Sequence, residues 1–415
     1  MITHSRRDLL KYTGTLGLGA CLSPWLSWNP KALANSAKAM QPVFVFLFLP
    51  GAMDGLSVLA PLDDPNYRKL RPNIGLNLND ERKPMVLSSG LYLHPALSPL
   101  KSMWDGGELS FVLGAGSPNA SRSHFESQDA MQYGRASSRD GDGTGFLNRT
   151  LMSSKGPNSP LRAVAFESDL PGSLRGRSAA LSISSLKQFV LNGGAATLQN
   201  SYRMMYEGSS DPLIRATSRE AFDAQAIIVR INAQAPSRAV AYPQGPEVRS
   251  FQDLAAVIRA DVGLEIAALS WGGWDTHVNQ GGTNGPLAYN LEKLSQSLAE
   301  FRKDLGSEWQ RTCVIAITEF GRTVKENGSR GTDHGHGSTV LMMGGSILGK
   351  RILGALPSLK PENLYEERDI PVVVDYRDIL ADVLQNHLHY QDLKAIFPDH
   401  LNKTSALGGL VKASG

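Results

Sequence analysis

Val43-Phe44-Val45-Phe46-Leu47-Phe48-Leu49 is a continuous apolar run rich in β-branched and aromatic residues. Without polar alternation, such a run reads as a strand buried on both faces, the habit of parallel sheets. Residues 109–113, 161–166, 264–269, 312–318, 338–343 and 371–374 read as further strands. Helical spacing lies between them. Leu97, Leu100 and Trp104 mark a short helix, and Phe251, Leu254, Ala255, Ile258 and Val262 form one stripe. Leu287, Leu291, Leu294, Leu298, Phe301 and Leu305 repeat at four-three spacing, and 378–388 closes the series. Residues 63–90, 135–160 and the tail from Lys403 lack a period and read as loop. Residues 181–243 read as a largely helical insertion, clearest over 221–231. The alternation predicts one α/β domain over 35–415, a largely parallel central sheet with helices on both faces.

Polar residues gather where the predicted strands end. Asp54 follows the first strand in Pro50-Gly51-Ala52-Met53-Asp54-Gly55. Arg122, Ser123 and His124 follow the second, and Ser123 with Glu126 fits a capping box that opens a helix. Asp275 and His277 follow another strand in Gly272-Gly273-Trp274-Asp275-Thr276-His277. Glu319 and Arg322 come next, then Asp333, His334 and His336 in Thr332-Asp333-His334-Gly335-His336-Gly337. Each has a plain reading: a turn aspartate, a helix cap, a glycine-rich turn with solvent-facing histidines. Ligands of open α/β sheets bind at the carboxyl ends of the strands, and scattered structural residues have no reason to collect there.

Acids and histidines from several loops suit one or two divalent ions. Zinc favours His with carboxylate, while magnesium, calcium or manganese favours carboxylate. Two ions can clamp the attacking and leaving oxygens of a displacement. Ser123 is then either only a cap or a nucleophile at a helix start whose dipole attracts an anionic ester. Arg122 or Arg322 could neutralise the other oxygens of a phosphate or sulfate ester.

Composition narrows the setting. The chain of 415 residues is 41% hydrophobic and 20% charged, as globular proteins are. The formal charge of +3 arises near the start, where Arg6, Arg7, Lys11 and Lys31 face one acid, Asp8. The remainder is about neutral, with no basic patch for nucleic acid or an anionic membrane. Ser5-Arg6-Arg7-Asp8-Leu9-Leu10-Lys11 resembles a twin-arginine signal, followed by a weakly apolar stretch and Ala32-Leu33-Ala34, an A-x-A cleavage pattern. Residues 1–34 are therefore expected to address the chain to the twin-arginine translocase and to the periplasm or beyond. Leu18-Gly19-Ala20-Cys21 offers a second reading, a lipobox that leaves Cys21 acylated. Otherwise the mature chain holds only Cys313 and no internal disulfide is possible.

Taken together, Gly51-Ala52-Met53-Asp54-Gly55, Arg122-Ser123-His124-Phe125, Gly272-Gly273-Trp274-Asp275-Thr276-His277, Glu319-Phe320-Gly321-Arg322 and Asp333-His334 resemble an exported bacterial family known only as domain of unknown function 1501. That family is similar in fold to the alkaline phosphatase and sulfatase superfamily. The resemblance implies an alkaline phosphatase-like fold and a metal-dependent hydrolase acting on small-molecule or polysaccharide phosphate or sulfate esters. It implies metal binding by Asp54, His124, Asp275, His277, Glu319, Asp333, His334 and His336, and Ser123 in the nucleophile's place. Glu319 stands where the superfamily has an Asp-His pair, and the Asp275–His277 spacing is tighter than usual. A non-catalytic binding or assembly protein on the same scaffold is the alternative.

Overall fold

The run from Val43 is the middle of the molecule. A computed structural model describes residues 41–137, 142–153, 156–189, 196–234, 240–401 and 407–412. The expected signal over 1–34, with its arginine pair and Cys21, lies outside them. The strands in order are β1 (Val43–Phe48), β2 (Leu59–Ala60), β3 (Met85–Ser88), β4 (Leu91–Leu93), β5 (Leu109–Gly116), β6 (Ala163–Ala165), β7 (Leu181–Ser182), β8 (Ile266–Ser270), β9 (Thr312–Ile317), β10 (Ser338–Gly344), β11 (Ile352–Gly354) and β12 (Val374–Asp375). Nine of them form one sheet in the order β11-β5-β10-β9-β1-β8-β6-β7, with β12 also pairing β5. β1 runs parallel to both β8 and β9, and β6 and β7 continue that sense. β10 runs antiparallel to β9 and β5, so the sheet is mixed but mostly parallel.

Both faces of β1 are buried, for the reason its unbroken apolar run implied. Val43, Val45 and Leu47 join the core under helices Pro246–Arg259 and Pro286–Leu305. Phe44, Phe46 and Phe48 point the other way, into a core shared with Phe146, Leu147 and helix Tyr376–Asn386. The molecule is α/β, with helices on both faces of the sheet.

Three stretches expected to be loop carry structure. In 63–90, Pro65 at the first helical turn and the Asp64 cap on the Asn66 N–H start helix Pro65–Leu70, and Met85–Ser88 becomes β3 in a small sheet with β4 and β2. In 135–160, helix Phe146–Met152 buries Phe146, Leu147 and Leu151, so packing overrides a Ser/Gly/Asp-rich context. In the tail, Leu407, Leu410 and Val411 are buried and Val411 bridges Ile347. Of the expected strand at 371–374, only Val374 enters β12, which continues to Asp375. In the 181–243 stretch the described residues include helices Ala196–Glu207 and Pro212–Gln234. Among the described residues no helix is long and apolar enough to cross a membrane.

Candidate active site at the strand ends

The loops that follow β1, β5, β8 and β9 leave the sheet at the same edge. The segment 332–337 comes before β10, yet reaches that edge because β10 is antiparallel: Ser338, its first residue, lies opposite Ala115 near the end of β5. Two glycines allow the loops to press together. Gly51 has φ +115°, and a Cβ there would stand 3.0 Å from the Asp275 nitrogen. A Cβ on Gly321 would come within 2.0 Å of the Gly337 carbonyl oxygen. The contact is then locked by Gly321 N–H donating to His336 O (2.7 Å) and Gly335 N–H to Gly321 O (2.8 Å).

Three imidazoles meet one carboxylate oxygen there. Asp275 Oδ1 lies 3.0 Å from His277 Nε2, 3.2 Å from His334 Nε2 and 3.5 Å from His124 Nε2. His124, Asp275 and His334 each offer a ligand atom, and these atoms lie within 4.8 Å of one another. The far nitrogen of every ring faces an acceptor. His124 Nδ1 donates to Glu319 Oε1 (2.7 Å), His277 Nδ1 to Asp333 Oδ1 (3.1 Å) and His334 Nδ1 to the Arg122 carbonyl (2.9 Å). Ionised carboxylates and carbonyls only accept, so with a metal ion bound these partners would hold the proton on Nδ1 and leave each Nε2 lone pair free to ligate. His277 Nε2 and His334 Nε2 are 2.9 Å apart. His124 Nε2 is buried without a hydrogen-bond partner. An orphaned nitrogen, two further imidazole nitrogens and a carboxylate form a donor set that fits a divalent metal ion. The acceptors behind the rings are the supports that metal-binding histidines use.

Charge and burial tune these groups in opposite directions. Burial works against the Asp275 charge, but the hydrogen bond and charge of Arg322, then His334 and His277, bring its carboxyl down to about 2. Burial likewise opposes ionisation of Glu319, and hydrogen bonds from His124, Gln128 and the Gly51 N–H outweigh it. The Glu319 hydrogen bond in turn raises His124 above the ordinary imidazole value, whereas burial lowers His334. Phe320 lies against both rings, its centroid 5.0 Å from His124 and 5.2 Å from His334.

The residues expected from sequence separate into groups. His124, Asp275, His277 and His334 come together, and Glu319 and Asp333 stand behind them, holding rings rather than pointing inward. Asp54 is not among the converging atoms. It is buried in an ion pair with Arg71 and also accepts from Ser57 and Gln280. His336 is also elsewhere, with Nε2 donating to Ser117 O (3.1 Å) and its ring against Tyr365. Neither arginine is available as an anion clamp. Arg322 is buried, and its guanidinium donates to Ala52 O, Thr332 O, Gly51 O, Trp274 O and Asp275, tying three loops together. Arg122 pairs with Glu366 and Asp369. Ser123 caps helix His124–Gln132 by position, but its hydroxyl makes no capping bond, and Glu126 accepts from Ser121 Oγ (2.7 Å).

Several partners were not anticipated. Gln128 donates to Glu319 (2.9 Å) from one helical turn after His124, a spacing that puts both on one face. Asn327 donates to Asp333 Oδ1 (3.0 Å) and to His277 O. Arg71 and Gln280 carry no local signal, because their partner Asp54 is distant in sequence.

No curated protein matches the chain. Among solved structures it is similar to Ps i-CgsB, described in complex with k-i-k-neocarrahexaose, at 10% identity and a TM-score of 0.40, covering 89% of this chain and 75% of that one. It is also similar to the PsFucS1 sulfatase from Pseudoalteromonas sp., at 11% identity and a TM-score of 0.36, covering 93% of this chain and 75% of that one. Scores this low carry no argument about what the chain does. A family model described as "Protein of unknown function (DUF1501)" matches residues 110–397, a span that holds every residue of the imidazole cluster and leaves out Asp54. The chain belongs to that family.

Proposed function

We propose that this chain is an exported metal-dependent hydrolase of phosphate or sulfate esters, working in the periplasm or outside the cell, with Ser123 as nucleophile. The reading rests on one observation: three imidazole Nε2 atoms turn toward Asp275 Oδ1, each ring fixed from behind by an acceptor. A bound divalent ion supplies Lewis acidity, polarising the ester and favouring a deprotonated hydroxyl nearby. Ser123 adjoins His124 at the start of a helix, where the helix dipole and the first N–H groups attract an anion. Its uncapped hydroxyl attacks phosphorus or sulfur as the alcohol leaves with a proton, and water then releases the phosphate or sulfate and restores the serine. With both arginines engaged, neutralisation of the ester falls to the helix terminus and the metal centre.

The same two arginines favour a second reading, a binding or assembly protein that keeps the scaffold without turnover. Hydrolysis of aryl phosphates and aryl sulfates by protein loaded with zinc or manganese separates the two. Activity that drops by about a thousandfold or more in Ser123→Ala supports the hydrolase. A variant with full activity would show that the nucleophile is wrongly assigned, and no turnover by the wild type selects the binding protein.

A further inference from the structure

We propose that the centre takes a single transition-metal ion and that Asp54, expected from the sequence as a further ligand, is reserved for the buried guanidinium of Arg71. This deepens the reading of the imidazole cluster as a metal centre and depends on it. Both Asp54 oxygens are engaged: Oδ2 accepts from Arg71 Nη1 (2.6 Å), Ser57 Oγ (2.7 Å) and Gln280 Nε2 (2.7 Å), and Oδ1 accepts from Arg71 Nη2 (3.0 Å). A carboxylate has about four lone-pair sites, and four donors meet this one, three at Oδ2 and one at Oδ1. Arg71 cannot withdraw, because Nε donates to Val324 O (2.8 Å) and Nη2 also donates to Thr323 O (2.9 Å), with the side chain wholly buried. Nor can it lose its charge. A metal ion at Asp54 would therefore meet a fixed positive charge in a medium that screens poorly.

Glu319 is closed to a second ion in the same way. Glu319 Oε1 accepts from the Gly51 N–H (2.8 Å), Gln128 and His124, and Oε2 accepts from Thr318 Oγ1 (2.9 Å). Asp333 Oδ1 holds His277 and Asn327. That leaves Asp275 as the carboxylate turned toward the imidazoles. Imidazole nitrogens beside one carboxylate oxygen suit zinc or another first-row transition ion, whereas magnesium and calcium select oxygen-rich sites.

Metal content of the full chain, purified without chelator and again after stripping and refilling with Zn²⁺, tests this by mass spectrometry. The expected result is one ion per chain, unchanged by excess Mg²⁺ or Ca²⁺. In chelator competition, Asp54→Asn should keep Zn²⁺ affinity within about twofold, with a lower melting temperature, while His334→Ala loses about a hundredfold or more. Two ions per chain, or a folded Asp54→Asn variant that has lost its zinc, overturns the single-ion proposal and leaves the hydrolase reading standing. A wild type that takes up no ion overturns the metal centre itself. The wild-type stoichiometry decides even if the Asp54 variant does not fold.

Discussion

Glu319 shows how far a residue's type can differ from its task. Its position after a strand marks it as functional, but burial and four donors make it a holder of His124 rather than a ligand. Glu319→Gln keeps the size and removes one acceptor, so one of its donors is left facing an amide. Metal affinity is expected to fall by about 10–100-fold with the far-ultraviolet circular dichroism unchanged. Unchanged affinity in chelator competition would show that the His124 ring needs no such support. His124, Asp275, His277 and His334 were legible as chemistry-bearing residues because each falls in a short motif with glycine or an aromatic residue in the loops that follow predicted strands. Their division from Asp54 and His336 was not legible, since it depends on Arg71 and Ser117, residues far apart in the chain.

The elements were easier to read than the loops between them. Helix Pro286–Leu305 follows from its four-three repeat, and that repeat becomes a buried face with Leu291, Leu294, Leu298 and Phe301 in the core. Truncating Leu298 to alanine leaves a cavity that packed neighbours fill only partly. The expected loss is about 2–5 kcal/mol in urea unfolding, with metal content unchanged. A loss under about 1 kcal/mol would mean that this face does not carry the core. Short elements were missed where composition opposed packing. Helix Phe146–Met152 sits in a Ser/Gly/Asp-rich stretch, and only the partners of Phe146, among them Phe46 and Phe397, reveal why it is helical.

At the scale of the whole molecule, two buried histidines tie distant segments together and make stability depend on pH. His94 accepts from the Ala96 N–H (3.0 Å) and donates to Gly282 O (3.0 Å), and His387 donates to Val43 O (3.0 Å). Burial pushes both down to about 4 from an ordinary 6.5. Their folded values lie below their unfolded ones, so as pH falls from about 6.5 toward 4 the unfolded chain takes up protons that the folded chain refuses. Stability is complete above that window and declines through it, by about 3 kcal/mol for each histidine. Urea unfolding of chelator-treated protein at several pH values checks this without interference from metal release. A midpoint that stays level between about pH 7 and 4.5 would contradict neutral burial of these rings.

The sequence by itself determined the layers and the edge. Unbroken apolar runs can be hidden only between two layers of helices, and the residues after parallel strands must then emerge on one side. Tertiary structure decided which of those residues form the site. β10 runs against its neighbours, which returns 332–337 to the edge from the opposite chain direction. Arg71 reaches Asp54 from another segment and takes an acid that its place after the first strand and the family resemblance had grouped with the ligands. Metal-binding character belongs to a residue's free lone pairs, and those depend on partners that no local stretch of sequence contains.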